Sequence, residues 1–267
     1  MLKMSHNSNK ITALIITYNE MGYIQQCVDS VLFADEIIVV DSYSTDGTFE
    51  YLKNHPRVTA IQHSFENFTK QKTFALKQAT NDWVLFIDAD EVVTTSLEEE
   101  IKGQVQHAKD EVAFWFYRTF MFQQRRLRFS GWQTDKNYRL FRKSKVSFCN
   151  KRIVHETLNI DGKSGVFKEK LIHYSYKDYS GYKAKMLSYG RLKAKEAFAK
   201  QKRFNYASLY LKPFWKFSYN YFVRLGFLDG RKGITICYLE ALGEIERFTE
   251  LKRLEKQPKL VYTLTTP

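Results

Sequence analysis

The sequence predicts an α/β fold in which a mixed sheet is followed by a C-terminal helical extension. Three observations support this. Short apolar runs alternate with amphipathic segments over the first hundred residues, one apolar run ends in two acids separated by a small residue, and the composition becomes basic near residue 180. Alternating strands and helices are typical of βαβ units, which build a parallel sheet with both faces covered.

Strands and helices alternate regularly up to residue 87. Apolar runs predict strands, and apolar residues spaced three or four apart predict helices. The predicted strands cover 11–16, 37–40, 58–62 and 83–87, and the predicted helices cover 20–32, 47–54 with Asp46 as N-cap, and 68–79. In parallel sheets, ligands bind outside the carboxyl ends of the strands. We therefore expect the polar residues that follow three of these strands to surround one crevice.

The pattern changes in the second part of the chain. Residues 96–107 predict a helix, 112–120 an aromatic-rich strand, and 125–174 short strands and loops. From 180 to 256 the sequence predicts helices in which aromatic residues and lysines alternate. The change in composition near 178–181 predicts one domain over 1–178 and a helical extension over 179–267.

The composition is that of a folded protein from a reducing compartment. Hydrophobic residues make up 44% of the chain, and 12 glycines and 4 prolines argue against a long disordered segment. Cys27, Cys149 and Cys237 are far apart and show neither metal nor disulfide spacing. No apolar stretch resembles a signal core or is long enough to span a bilayer, so we expect a soluble, cytoplasmic protein.

The net charge of +13 is concentrated in one segment. Residues 182–224 carry 11 lysines and arginines against a single acid, Glu196, whereas the preceding residues are nearly balanced. A local basic segment favours phosphate-rich partners, which include nucleic acid, an anionic membrane surface and a phosphorylated glycolipid.

Asp88-Ala89-Asp90 is the strongest chemical signal in the chain. Extended geometry points residues 88 and 90 to the same side, with the small Ala89 between them. The sequence places nothing basic beside these carboxylates, so they repel each other unless a cation neutralises them. A hard divalent cation that also binds phosphate oxygens is typically magnesium or manganese. The alternative is a solvated turn that contains two acids.

Several motifs together resemble the family 2 glycosyltransferases with the GT-A fold. Within that family, the chain is similar to small bacterial enzymes that add a β-linked glucose to the lipopolysaccharide core, the β-1,4-glucosyltransferases. The matching stretches are 15–20 (IITYNE), 38–48 (IVVDSYSTDGT), 83–91 (WVLFIDADE), 139–142 (RLFR), 154–156 (VHE), 173–176 (HYSY) and 226–230 (GFLDG). The early motifs are specific only in combination, and the later ones narrow the subgroup. The resemblance implies a UDP-sugar donor bound by 11–100 and an acceptor and base region over 101–178.

The resemblance assigns the nucleotide to residues that follow the first two strands. Asp41 can accept a hydrogen bond from a uracil N3–H, and Thr17, Tyr18 and Glu20 could hold the base and ribose. As alternatives, Asp41 is a turn residue, and Thr17 and Glu20 begin the next helix, where Glu20 favours its positive end.

The resemblance also implies a divalent metal, Mg²⁺ or Mn²⁺. Asp88, next to Ala89, would contact the ribose and the metal, and Asp90 would ligate the metal that bridges the diphosphate. Such a metal stabilises charge on the departing diphosphate. His173 would complete the metal shell, as a late histidine does in many GT-A enzymes, or it is a buried core histidine.

Three basic residues are candidate phosphate ligands. Lys72 lies on the helix that leads to the acidic motif and could reach a phosphate, although a solvated helix face explains it equally well. Arg139 and Arg142 could clamp phosphates, or they are surface charges.

An inverting transfer needs a base that takes the proton of the acceptor hydroxyl. Inverting family members often supply it from a Glu-Asp pair, which this chain lacks after the acidic motif. Glu156 is our first candidate, with His155 positioning it or the acceptor, and Asp135 is the second. Either carboxylate could instead pair with Arg139 or Arg152.

The helical extension combines basic and aromatic residues over 182–224. This combination is typical of a segment that lies on an anionic bilayer, which would suit a membrane glycolipid acceptor and a peripheral position on the cytoplasmic face of the inner membrane. The alternative is that these aromatic residues pack the extension onto the first domain.

Three other functions are compatible with parts of the pattern. A polyprenyl phosphate or a protein could be the acceptor in place of a glycolipid. A nucleic-acid-binding module would use 182–224, but no recognition motif supports it, so we expect no nucleic-acid partner. A nucleotidyltransferase would usually carry a glycine-rich phosphate loop after the first strand, where this chain has Thr17-Tyr18-Asn19-Glu20.

Overall fold

Four parallel strands form the first part of the sheet in the order β3-β2-β1-β4. The computed structural model of the protein describes residues 9–107, 110–131, 136–149, 157–176 and 178–256. The four strands are β1 (Ile11–Thr17), β2 (Glu36–Asp41), β3 (Thr59–Gln62) and β4 (Trp83–Asp88). The central strands are buried on both faces, as expected for continuous apolar runs covered by helices.

The helices that connect these strands are α1 (Ile24–Asp29), α2 (Thr48–Asn54) and α3 (Phe68–Gln78). α1 is shorter than the predicted 20–32 because residues 20–23 form a turn in which Glu20 O accepts from Tyr23 N and Ile24 N. The N-cap of α2 is Gly47 with φ +91°, so the prediction of Asp46 as N-cap is wrong. Asp46, the residue before the N-cap, still accepts a hydrogen bond through Oδ1 from the N–H of Thr48, the first residue of the helix, at 3.1 Å.

The second part of the sheet is mainly antiparallel. Residues 91–176 form β5 (Glu91–Val92), α4 (Thr95–His107), β6 (Glu111–Phe122), β7 (Arg125–Leu127), β8 (Lys136–Arg142), β9 (Val146–Cys149), β10 (Thr157–Ile160), β11 (Lys163–Val166) and β12 (Leu171–Tyr176). β9 and β10 pair with each other in a separate two-stranded sheet. β8 pairs antiparallel with β4 and continues the order as β4-β8-β6-β12-β5. The prediction of a mixed α/β sheet is therefore confirmed.

The C-terminal part is helical, as the sequence predicts. It consists of α5 (Tyr179–Ala199), α6 (Tyr206–Ser218), a π-turn over Tyr219–Val223, a 3₁₀ turn over Gly226–Asp229, and α7 (Gly230–Lys256). α5 and α7 approach closely, since a Cβ on Gly190 would lie 2.4 Å from the backbone oxygen of Gly243.

Ion pairs connect the basic helices to acids of α7. Arg191 and Lys193 of α5 contact Glu246 and Glu244 at 2.8 and 3.4 Å. Part of the positive charge that the sequence concentrates in 182–224 is therefore balanced by carboxylates that follow later in the chain.

The chain divides into two compact units. The first comprises Met1–Thr119 and Thr134–Tyr174, and the second comprises Phe120–Gln133 and Ser175–Pro267. Apolar clusters on the two faces of the sheet form the core of the first unit, and Phe120, Phe122, Tyr182, Ile236 and Leu239 belong to the core of the second. The boundary between 178 and 179 stays a prediction. None of the described helices combines the length and apolar character that crossing a bilayer requires.

Candidate active site

The carboxyl ends of β1, β2 and β4 lie side by side. Thr17 is the register partner of Asp41, and Ile16 is the partner of Asp88. The three polar clusters that the sequence places after strands are thus brought to one edge of the sheet, where ligands of parallel sheets bind.

Thr17 and Tyr18 present different surfaces at this edge. The Thr17 side chain is buried, yet among the described residues Oγ1 has no hydrogen-bond partner. Tyr18 is 58% exposed. A buried hydroxyl without a partner is uncommon, because leaving it unsatisfied costs free energy. Thr17 Oγ1 is therefore suited to a hydrogen bond with a bound ligand.

Asp41 is buried at the end of β2, and its carboxylate stabilises the turn that follows. Oδ2 accepts from Ser44 N at 2.9 Å, and Oδ1 accepts from the hydroxyl of Ser44. The turn role considered from the sequence is thus present. Gln62 Nε2 donates to Oδ2 at 3.5 Å, so three described donors contact this carboxylate. Of its roughly four acceptor positions, one is left for a ligand.

The loops after β1 and β2 are joined by hydrogen bonds. Asn19 N donates to Ser44 Oγ and Asn19 Oδ1 accepts from Thr45 N, both at 2.8 Å. Met21 N donates to Asp46 Oδ2 at 3.0 Å, and Glu20 N donates to Thr48 Oγ1 at 3.1 Å. The two loops that flank the sheet edge therefore form a single connected structure.

The acidic motif is neutralised from an adjacent strand. Arg139 of β8 forms ion pairs with Asp88 Oδ2 and with Glu91 Oε1, the latter at 2.6 Å. The inference that nothing basic lies beside the motif is wrong, because antiparallel pairing of β4 with β8 brings in a residue 51 positions away. Glu91 Oε2 also accepts from Asp88 N at 3.0 Å, and Arg118 contacts Glu91 Oε1 at 3.2 Å.

The charges around Asp88 shift its proton affinity. Burial raises the pKa of the Asp88 carboxyl. The nearby positive charges, those of Arg139 and Lys72 foremost, outweigh this effect, so the pKa lies well below its usual value. Burial lowers the pKa of Arg139, and Asp88 and Glu91 raise it above its ordinary value. Asp88 is therefore ionised at neutral pH.

Asp90 faces a histidine of β12, which is distant in the sequence. Asp90 Oδ2 lies 3.3 Å from His173 Nε2, and Asp90 O accepts from Tyr174 N at 2.8 Å. The pairing of β5 with β12 places His173 opposite Glu91, which explains how the contact forms. Both side chains are partly accessible, with exposed fractions of 25% for Asp90 and 11% for His173.

Other candidates separate into those near this edge and those away from it. Lys72 of α3 lies close enough for its charge to act on Asp88. Arg142 lies at the opposite end of β4, where it is the partner of Trp83 and contacts Asp82 at 3.3 Å, so the structure does not bring it to the site. Ala89 is buried in the core cluster, and its side chain does not line the edge.

A divalent metal would find a partial ligand set here. Within the described part of the chain, no group of three His, Cys, Asp or Glu side chains could hold a metal ion. Asp88, Asp90 and His173 therefore do not form a complete site. Asp90 and His173 fit two positions of a coordination shell, and Mg²⁺ and similar ions commonly take the remaining positions from substrate phosphates and water.

The candidate base residues lie outside the described residues. Asp135, His155 and Glu156 fall in 132–135 and 150–156. Their assignment stays a prediction.

Sequence reasoning missed the residues that support the acidic motif and the loops. Arg118 is not among the predicted residues. Arg139 is predicted as a phosphate clamp or a surface charge, and the second alternative is wrong because its side chain is buried between two acids. For Arg118, a cation in the middle of the aromatic, mainly apolar β6 was the available signal, since buried charges need partners. Ser44, which connects Asp41 to Asn19, resembled an ordinary turn residue.

Comparison with known proteins identifies the family. Residues 12–163 match the model of Glycosyl transferase family 2, which is more than half of the chain. The chain belongs to glycosyl transferase family 2. With the mixed sheet described above, the resemblance to this family and the GT-A fold class are confirmed, and the protein is a glycosyltransferase.

Relatives that match this chain over most of their own length occur in bacteria. An uncharacterised glycosyltransferase of Rickettsia conorii is 28% identical, with 95% of this chain and 94% of the relative covered. The lipopolysaccharide core biosynthesis glycosyltransferase LpsC of Rhizobium meliloti is 29% identical, with 90% and 87% covered. Among solved structures, S. aureus TarS 1–349 in complex with UDP is 16% identical with a TM-score of 0.45, covering 92% of this chain and 91% of that chain.

Proposed function

We propose that this glycosyltransferase is inverting and metal-dependent, and that it transfers a sugar, most simply glucose, from a UDP-sugar to a lipopolysaccharide-core or related membrane glycolipid. The similarity to LpsC supports the class of acceptor. The subgroup motifs, which resemble those of lipopolysaccharide-core glucosyltransferases, support the donor. An acceptor in the membrane favours a protein that lies peripherally on the cytoplasmic face of the inner membrane.

The observation that carries the proposal is the Asp90–His173 contact beside an Asp88 already paired with Arg139. Because Arg139 balances Asp88, the carboxylate of Asp90 is the one left to coordinate a cation. Asp90 and His173 would hold the metal, which stabilises the negative charge of the departing diphosphate.

The chain positions the nucleotide through the two connected loops. Asp41 accepts the uracil N3–H, and the unpartnered hydroxyl of Thr17 contributes a hydrogen bond to the nucleoside. Tyr18 and Glu20 border the same edge, and Lys72 supplies positive charge on the side of the diphosphate.

Glu156 acts as the base in this proposal. It takes the proton of the acceptor hydroxyl while the hydroxyl oxygen attacks the anomeric carbon, whose bond to the diphosphate oxygen breaks and releases UDP. His155 positions Glu156 or the acceptor. Asp135 is the second candidate. The Glu156→Gln variant should lose about 10²- to 10⁴-fold in turnover with acceptor, as expected for a lost base. A loss smaller than about tenfold would reject the assignment, because an already ionised phosphate acceptor needs no base.

A panel of nucleotide sugars tests the donor without knowledge of the acceptor. Each UDP- or GDP-sugar is incubated with the protein and Mn²⁺ or Mg²⁺, and slow hydrolysis is followed by nucleotide release. We expect release from UDP-glucose, its abolition by EDTA, and its loss in Asp90→Ala.

Arg142→Gln is the matched control, because Arg142 lies away from the sheet edge. This variant should release nucleotide at the rate of the wild type. Hydrolysis that persists in EDTA and in Asp90→Ala would contradict the metal-dependent mechanism.

A further inference from the structure

The second unit exposes a mainly apolar turn, which also contains Arg224 and the buried Gly226. Residues 222–228, here called the apolar turn, follow α6 and precede α7. Five of its side chains are exposed, with Phe222 at 60% and Leu228 at 55%. The exposed members are Phe222, Val223, Leu225, Phe227 and Leu228. Exposed apolar side chains grouped in this way are typical of an interaction site.

A basic hairpin belongs to the same unit. β6 and β7 are joined by Gln123 and Gln124, both in the left-handed region with φ of 47° and 58°. The segment 122–128, here called the arginine hairpin, carries Arg125, Arg126 and Arg128, all exposed. Their side chains form no ion pair with any residue in the described ranges, in contrast to the paired cations of α5.

Two side chains of the 226–232 region fasten the arginine hairpin to the apolar turn. Asp229 accepts from Arg128 N and Phe129 N, both at 2.9 Å, and from Ser130 Oγ at 2.8 Å. Lys232 Nζ donates to Phe122 O at 2.8 Å. Asp229 of the GFLDG motif and Lys232 thus connect the backbone of the arginine hairpin to the segment that follows the apolar turn.

We propose that the arginine hairpin and the apolar turn together form a docking surface for an anionic bilayer. Guanidinium groups bind lipid phosphates in a bidentate manner, and the adjacent apolar side chains can enter the interface below the headgroups. Tyr210, Phe214 and Trp215 of the preceding helix α6 are exposed as well. Nucleic acid would use the arginines but would leave Val223, Leu225 and Leu228 in water.

This inference rests on the proposed function in one respect: docking on a bilayer would bring the enzyme to a membrane acceptor. It differs from the sequence-based expectation of a surface over 182–224, because it begins at residue 122 and draws its unpaired cations from the hairpin. The docking surface does not include Arg191 and Lys193 of α5, because these cations are paired with acids of α7.

Vesicle co-sedimentation of the full chain tests the surface. We use phosphatidylcholine vesicles with about one-third phosphatidylglycerol and no acceptor, and expect Arg125→Glu with Arg126→Glu to weaken binding at least about tenfold. Val223→Ser with Leu228→Ser should weaken it at least about threefold. The matched control is Lys200→Glu with Lys202→Glu, which makes the same charge change on exposed residues elsewhere in the second unit and should bind within about twofold of the wild type.

Four results would overturn the proposal. The first two are vesicle binding at the wild-type level by Arg125→Glu with Arg126→Glu, and an equal loss of vesicle binding in the lysine control. The third is tighter binding of the wild type to duplex DNA than to vesicles at the same salt concentration. The fourth is a dimer in solution that Val223→Ser with Leu228→Ser dissociates.

Nucleotide release separates this proposal from the proposed function. The hairpin variant should hydrolyse the UDP-sugar at the rate of the wild type, and Asp90→Ala should still bind vesicles. If no donor is hydrolysed while the hairpin variant loses vesicle binding, the proposed function fails and the docking surface stands.

Discussion

At the scale of single residues, Arg139 controls the charge of the acidic motif. Its buried guanidinium contacts Asp88 and Glu91, and Glu91 in turn receives the backbone N–H of Asp88. The motif therefore has a fixed geometry before any ligand binds.

Arg139→Gln should be strongly destabilising, because it leaves buried carboxylates without their cation. Breaking a buried pair in this way costs about 3–5 kcal/mol. Arg142→Gln on the same strand removes a more exposed pair with Asp82 and should cost about 1 kcal/mol or less. Thermal unfolding at neutral pH measures both variants, and equal shifts in Tm would contradict the role of Arg139.

The difference between wild type and Arg139→Gln should depend on pH. The pKa of Asp88 in the folded protein is lowered, so its contribution to stability is fully present above the unfolded value of about 4. Below that pH the unfolded chain binds a proton that the folded chain does not, and this contribution declines. We expect the difference in Tm to narrow below about pH 4. A constant difference from pH 7 down to pH 3 would be inconsistent with this account.

Thr17→Val separates ligand binding from stability. The Thr17 hydroxyl has no partner among the described residues, so its removal should leave the free energy of unfolding unchanged or slightly higher. UDP affinity, measured by calorimetry, should fall about two- to tenfold.

Thr12→Val is the control at the other end of β1, where Oγ1 donates to Glu36 at 2.6 Å. This variant should lower Tm and leave UDP affinity unchanged. If Thr17→Val lowered Tm without changing UDP affinity, while Thr12→Val weakened UDP binding, Thr17 would have no role in nucleotide binding.

The positions of Asp41, Asp88 and Asp90 could be predicted from the sequence, because each follows an apolar run and parallel strands place their ends together. The partner of Asp88 could not be predicted, since it depends on the register between β4 and β8. For the same reason Arg142, three residues from Arg139, lies at the other end of the strand pair.

At the scale of elements, small residues determine how closely the helices of the second unit approach. α5 and α7 contact each other through Gly190 and Gly243. The sequence predicts helices here but not the contact between them. Gly190 and Gly243 both lie inside a helix, and nothing in the sequence indicates that the two glycines meet.

Gly190→Ala should destabilise the protein by about 1–3 kcal/mol, because the new Cβ would lie 2.4 Å from the Gly243 oxygen. Gly103→Ala is the matched control in α4, where nothing lies within 4 Å of an added Cβ. It should stabilise the protein by about 0.5–1 kcal/mol, since alanine is the better helix former. Thermal unfolding should move Tm in opposite directions for the two variants, and a fall in both would contradict the packing argument.

At the scale of the whole molecule, the charge is distributed unevenly after pairing. The acids of α7 form ion pairs with cations of α5, whereas the side chains of the hairpin arginines form no ion pair with a described acid. Composition alone located the excess charge in 182–224, because pairing between distant helices cannot be seen in a count of residues.

Nucleotide binding should stabilise the molecule in a metal-dependent way. UDP with Mn²⁺ at about 100 times its Kd should add about 2.7 kcal/mol to the free energy of unfolding. Asp90→Ala or EDTA should remove most of the effect if the metal contributes to UDP affinity. An identical rise in Tm with and without metal would argue against that contribution.

The hydrogen bonds between the loops after β1 and β2 have a consequence for engineering. Asn19 of the first loop is hydrogen-bonded to Ser44 and Thr45 of the second, so each loop helps to hold the conformation of the other. Donor preference should therefore transfer between relatives only when both loops are exchanged together as one cassette.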